Sequence, residues 1–113
     1  MISKGCWIRA IASIQAYEGL RLAAWFLSEK EDEAARVLVT TKARVHEALE
    51  AELIKKEVAQ RITAGIDDTV VAWANEDYEK AYDSISFPMD IAISEAMQQV
   101  TKCEFEKITK GLV

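Results

Sequence analysis

The sequence predicts an all-α fold, a compact bundle of about four helices with a long or broken second helix. Only one proline and four glycines occur in 113 residues, so few positions supply the turns that a many-stranded sheet needs. Apolar residues recur at three- and four-residue intervals over most of the chain, which is typical of amphipathic helices. Half of the residues are hydrophobic and 29% are charged, a globular composition. Residues 1–113 are therefore expected to form a single helical domain.

The first helix is predicted from about Ser3 to about Ser28, with apolar residues on nearly every side. A helix that is apolar all round is buried. This helix is therefore expected to be either the centre of the bundle or shared with a second subunit. The second alternative predicts a homo-oligomer. It would be a homodimer whose interface contains Trp7, Ile14 and Trp25.

The acidic run from Glu29 to Glu33 favours the start of a second helix, because carboxylates complement the free amides of a helix N-terminus. Apolar residues then continue at helical spacing as far as Ile62, either as one long rod or as two pieces with a break near Leu53. The sequence does not decide between these two. Gly65 followed by Ile66 fits a left-handed cap at the end of this helix.

A third helix is predicted to begin at Asp67 or Asp68, since aspartate is a favourable N-cap residue. Pro88 marks the last boundary, because proline disfavours helical geometry in the preceding residue and is tolerated in a first helical turn. The fourth helix is then expected to end near Gly111. Its predicted inner stripe is Ile93, Met97, Val100 and Ile108.

The sequence contains no pattern typical of a catalytic or metal site. His46 is the only histidine, and Ala43 stands where a Glu-x-x-His pair of a carboxylate-bridged bundle site needs glutamate. No glycine-rich phosphate loop is present. We therefore expect no catalytic residue, no metal and no cofactor, and the chain is not expected to be an enzyme, although a bundle interior can hold a ligand without a sequence signature.

The segment from Gln60 to Ala74 has the general pattern of a helix-turn-helix, with Gly65 in the turn. A helix-turn-helix DNA-binding regulator is therefore one alternative function. Against it, the recognition helix would begin with Asp67 and Asp68, whose charge opposes phosphate. The net charge of −5 also repels nucleic acid and anionic lipid. Neither is expected to be a direct partner.

Cys6 and Cys103 lie near opposite ends of the chain and match no metal or redox spacing. They are expected to be reduced thiols of a cytoplasmic protein, since cytoplasmic thiols stay reduced. If the first and fourth helices run antiparallel, the two cysteines come toward the same end of the bundle. A disulfide between them therefore stays open as an alternative.

Negative charge is concentrated in the predicted third helix. Six acidic residues and one lysine lie between Asp67 and Asp83, a net charge of −5 that equals the charge of the whole chain. A local field of this kind steers a basic partner. At about 100° per residue, Trp73 falls toward the charged side, where it is either an exposed hot spot or buried at the edge of the apolar face.

These patterns predict a non-enzymatic protein-interaction module. It would be an inhibitor or regulator that docks an acidic helix face on a basic, nucleic-acid-binding surface of a partner protein. The main alternative is a structural or self-assembling protein that dimerises through the apolar first helix. The predicted partner-binding residues are Trp73, Glu76, Asp77, Glu79, Lys80 and Asp83.

Overall fold

The computed structural model describes residues 4–110, which form α-helices and contain no strand. The helices are α1 (Lys4–Ser28), α2 (Glu33–Glu50), α3 (Lys56–Ala74), α4 (Tyr78–Ser84) and α5 (Ser86–Thr109). Only Ile85 separates α4 from α5, so these two form one bent last helix and the bundle has four helical rods. The all-α bundle is confirmed. The long or broken second helix does not match, because α2 ends at Glu50 and the bent helix is the last one.

Helix α1 packs mainly against α5 and α2 and also touches α4. Its buried residues Ala16, Leu20, Ala23 and Leu27 follow one another at three- and four-residue intervals, which places them on one face. Leu38, Ile62 and Ile85 from the other helices join the same hydrophobic core. Among the helices of residues 4–110, none is long and apolar enough to cross a membrane.

Helices α3 and α5 approach each other closely at Gly65. The predicted end of a helix at this residue is wrong, because α3 runs without interruption from Lys56 to Ala74 and Gly65 lies buried inside it. A Cβ atom at residue 65 would lie 2.7 Å from the Cγ and Cδ atoms of Pro88. Glycine is therefore required by the neighbouring ring, and the predicted helix-turn-helix loses its turn.

The buried face of α5 also differs from the prediction. Pro88, Ala92, Ala96 and Cys103 are buried, whereas the predicted inner residues Met97 and Ile108 are mostly exposed. Predicting the face from the largest apolar side chains failed, because small side chains form the contact with α1. Small residues let two helices lie close together.

The first three helices end in the same way. Each is followed by a charged residue with left-handed backbone geometry, namely Lys30 (φ 55°), Glu52 (φ 59°) and Glu76 (φ 60°). In the first of these turns the Lys30 amide donates to the Leu27 carbonyl, and the next amide donates to the Phe26 carbonyl. The turns at residues 52 and 76 repeat this pair of hydrogen bonds. This is the Schellman arrangement, in which glycine is the usual left-handed residue.

A disulfide between Cys6 and Cys103 joins the first helix to the last, with 5.8 Å between the two Cα atoms. The expectation of reduced thiols is therefore wrong. The physical reason is that α1 and α5 pack antiparallel, which brings the two cysteines together. Cys6, Ala10, Ala96 and Cys103 are buried between these two helices but lie outside the main core. The disulfide thus holds a part of the helix pair that has little apolar packing from elsewhere.

We expect Gly65→Ala to lower the free energy of unfolding by about 1–3 kcal/mol, because overpacking against the rigid proline ring outweighs the better helix propensity of alanine. Urea unfolding followed by circular dichroism measures this. Gln60→Ala also places alanine on α3 but at an exposed position, and should change stability by less than about 0.5 kcal/mol. Equal stabilisation by both substitutions would contradict the packing between Gly65 and Pro88.

We expect reduction of the disulfide to lower the free energy of unfolding by about 2–4 kcal/mol, since the bond closes a long loop in the unfolded chain. The two cysteines are 97 residues apart. Urea unfolding with and without dithiothreitol measures the loss. The Cys6→Ala, Cys103→Ala double variant is the control and should not respond to the reductant. Two free thiols in the denatured, unreduced protein would show that the bond does not form.

Candidate functional site

Two acidic turns meet at one end of the bundle. The first connects α1 to α2, and the second connects α3 to α4. Residues from both turns line one groove of about 510 Å³, so segments almost 50 residues apart in the chain share a surface. We call this surface the acidic end. Its acidic residues are Glu29, Glu31, Asp32, Glu33, Glu76, Asp77, Glu79 and Asp83.

The groove of the acidic end has aromatic walls and a carboxylate rim. Tyr78 and Tyr82 are one turn apart on α4 and therefore lie on the same side of that helix. Glu76, Asp77 and Glu79 line the same groove, and Leu27 and Ser28 complete it from the end of α1. Aromatic faces beside carboxylates attract ammonium and guanidinium groups. The groove is therefore chemically suited to a lysine or arginine side chain.

A lysine of the protein itself lies at this groove. The Lys30 Nζ atom is 5.8 Å from the centre of the Tyr78 ring, within the range of a cation–π interaction. Lys30 and Glu76 both line the groove and both have left-handed backbone geometry, which costs a non-glycine residue about 1 kcal/mol. The chain thus keeps charged side chains at two positions where glycine would be more stable.

Trp73 lies behind the groove rather than on its surface. The residue is half-buried against the core, and its ring meets that of Tyr78 edge to face with 4.8 Å between centroids. This half-buried position is nearer to the second alternative for Trp73, packing at the edge of the apolar face, and its role in binding stays a prediction. Its contact fixes the position of Tyr78, and an edge-to-face pair of this kind contributes about 0.5–1.5 kcal/mol.

Asp77 shapes the acidic end as well as charging it. Its carboxylate accepts a hydrogen bond of 3.2 Å from the Lys80 amide and so caps the start of α4. The acidic residues therefore do not lie on one helix face as predicted, because the chain turns at residues 75–77 between α3 and α4. The charge is presented by a corner instead of a rod.

The other predicted partner-binding residues lie around this corner. Glu79 and Asp83 are exposed one turn apart on α4, and Lys80 lines a second, smaller groove with Asp77 and Val71. Asp67 lies farther away and pairs with Lys42, with 2.6 Å between Nζ and Oδ1. Sequence reasoning missed Lys30 and Tyr82, although the spacing of Tyr78 and Tyr82 is a recognisable signal for a shared helix face.

The predicted homodimer residues lie on α1, and their role stays a prediction. Trp25 is 57% exposed, whereas Trp7 and Ile14 are half-buried. Ile11 and Leu22 are also about half exposed on this helix. The apolar residues of α1 are thus divided between the core and the surface.

Comparison with known proteins adds no relative. No family model, curated protein or solved structure matches this chain. The candidate site is therefore argued from its own residues.

Proposed function

We propose that this protein is a non-enzymatic interaction module that docks its acidic end on a basic surface of a partner protein. Where that surface binds nucleic acid, docking makes the module an inhibitor or regulator by covering it. The observation that carries the proposal is the groove in which Tyr78 and Tyr82 stand beside Glu76, Asp77 and Glu79. A solvated acidic face alone would not need aromatic walls.

The contact between Lys30 and Tyr78 supports this proposal because it shows a cation at the groove. The Lys30 ammonium group lies 5.8 Å from the ring centroid, and Glu76, Asp77 and Glu79 line the same groove. A partner lysine would add its charge to the same surroundings and gain both the ring and the carboxylates. The acidic run after α1 extends the attractive field beyond the groove, which raises the rate of encounter with a basic partner.

The disulfide bears on the compartment in which the module acts. Cytoplasmic localisation stays a prediction, and the bonded pair Cys6–Cys103 counts against it. Structural disulfides persist in oxidising compartments and are rare in the cytosol. The disulfide therefore favours a partner that is met under oxidising conditions.

We expect the triple variant Glu76→Lys, Asp77→Asn, Glu79→Lys to bind a lysine-rich peptide at least about tenfold more weakly than the wild type, because the groove loses its carboxylates. Asparagine at residue 77 keeps the helix cap, since it is an N-cap residue as good as aspartate. Amide chemical shifts in a nuclear magnetic resonance titration give the dissociation constant. The peptide with acetylated lysines serves as the uncharged probe and should not bind.

The control for this experiment changes the net charge by the same amount elsewhere. Glu47→Lys, Glu50→Lys and Glu57→Gln are exposed on α2 and α3, away from the acidic end. Both variants alter the net charge equally. Because salt screens charges that lie away from the acidic end, this control should weaken peptide binding by less than about threefold. Equal weakening in both variants would show that the peptide is held only by unspecific attraction. Undiminished binding by the variant at residues 76, 77 and 79 would refute the proposed site.

We expect Lys30→Ala to strengthen binding of the same peptide by about two- to threefold more than Lys80→Ala does, because the first substitution also frees the Tyr78 ring for a cation. Each variant removes one positive charge from the same end of the molecule. Only Lys30 lies over the ring. If the two variants gain equally, the ring takes no part in binding.

A further inference from the structure

A second cleft lies at the opposite end of α1 from the acidic end. It is bounded by α1, by residues 49–56 around the α2–α3 turn, and by α5, and its volume of about 640 Å³ is within the range of small-molecule sites. We call it the basic cleft. Its charged lining residues are Arg9, Glu52, Lys55, Lys56, Glu95 and Lys102.

The charge of the basic cleft opposes the charge of the molecule. Four cationic and two anionic side chains line it, although the chain as a whole carries −5. Lys55 is 3.9 Å from the carboxylate of Glu95. The other three cationic residues form no ion pair within the part of the chain that the structure describes. Unpaired cations in a concave surface focus a positive potential toward the space between them.

Arg9 lies beside the buried stripe of α1. The stripe passes backward from Leu20 through Ala16 and Ser13 to the buried Ala10 and Cys6, and Arg9 is the exposed neighbour of Ala10. At this level the α2–α3 turn lies beside α1, and Arg9 lines the basic cleft between them. Arg9 is therefore an exposed cation at the wall of the basic cleft and takes no part in the contact between α1 and α5.

Helix α5 contributes polar residues to the same space. Gln99 lies seven residues after the buried Ala92 and therefore on the same side of α5. The Glu95 side chain is only 11% exposed, and both residues line the basic cleft. Helix α5 thus places two polar side chains next to the cations of the basic cleft.

The start of α3 adds two lysines where helix electrostatics disfavours them. Lys55 is the N-cap residue and makes no capping hydrogen bond with its side chain, and Lys56 is the first helical residue. Cations near a helix N-terminus are destabilising, because that end carries partial positive charge. An anion in the cleft would offset this repulsion.

We propose that the basic cleft binds a small, multiply charged, phosphate-bearing molecule. Arg9, Lys56 and Lys102 would hold the phosphate groups, and the less polar part of the ligand would lie against Leu53 and Ile54, which form the apolar part of the lining. Several cations from three separate segments suit a multiply charged anion better than a single carboxylate. Nucleic acid fits less well, because the acidic remainder of the surface repels a long polyanion.

Pyrophosphate is the probe that tests this proposal. In an amide chemical-shift titration we expect saturable shifts centred on Arg9, Lys56 and Lys102, and a rise in the melting temperature because the ligand binds the folded state. The Arg9→Gln, Lys102→Gln variant should weaken binding at least about tenfold, since charge-assisted hydrogen bonds are lost. It should fold normally in the absence of pyrophosphate, because the removed cations repel each other.

The matched control is Arg21→Gln with Lys80→Gln, which removes the same charge outside the basic cleft and should change affinity by less than about twofold. Equal weakening in the two variants, or the absence of saturation, would overturn the proposal. Displacement of pyrophosphate by a single-stranded oligonucleotide at equal phosphate concentration would also overturn the proposal. Since the cleft lies away from the acidic end, the triple variant at residues 76, 77 and 79 should bind pyrophosphate as the wild type does.

Discussion

The contact between α1 and α5 is the interaction on which the rest of the structure depends. Small side chains on both helices, such as Ala10 and Ala96, allow a close antiparallel approach, and the Cys6–Cys103 disulfide fixes it covalently. Helix α2 packs against α1, and α3 packs against both α2 and α5, so the four rods close around one core. The α2–α3 turn lies beside Arg9 and Lys102, whereas α1 begins at Lys4 and α5 ends at Thr109. The helix pair therefore extends past the turn and leaves the basic cleft at the step.

The two candidate sites are both products of turns rather than of helix faces. At one end, the α1–α2 and α3–α4 turns bring carboxylates around two tyrosines. At the other, the α2–α3 turn brings lysines against α1 and α5. Along a molecule 53 Å long, this separates negative from positive side chains. Each end can therefore act without electrostatic interference from the other at physiological salt, where screening extends over about 8 Å.

Much of the fold was predictable, because scarce glycine and proline and helical spacing leave few alternatives to a bundle. The start of α2 followed from the acidic run at Glu29–Glu33. The end of α3 did not, because Gly65 serves close packing with Pro88 and the true left-handed residue is Glu76. The glycine signal for a helix end was therefore misleading at Gly65 and missing at the ends of α1, α2 and α3, whereas α5 ends at Thr109, close to the predicted Gly111.

The candidate sites were predictable only in part, since they join distant segments. Glu76, Asp77 and Glu79 form a local run that the sequence displays, whereas Lys30 reaches Tyr78 only after the chain has folded. Arg9 interrupts an apolar stretch in the sequence, but only the folded chain brings it beside the α2–α3 turn and Lys102. The three left-handed residues also have a consequence for heat resistance. Glycine at residues 30, 52 and 76 would remove a backbone strain of about 1 kcal/mol each. The charged side chains at these turns therefore lower the melting temperature of the protein.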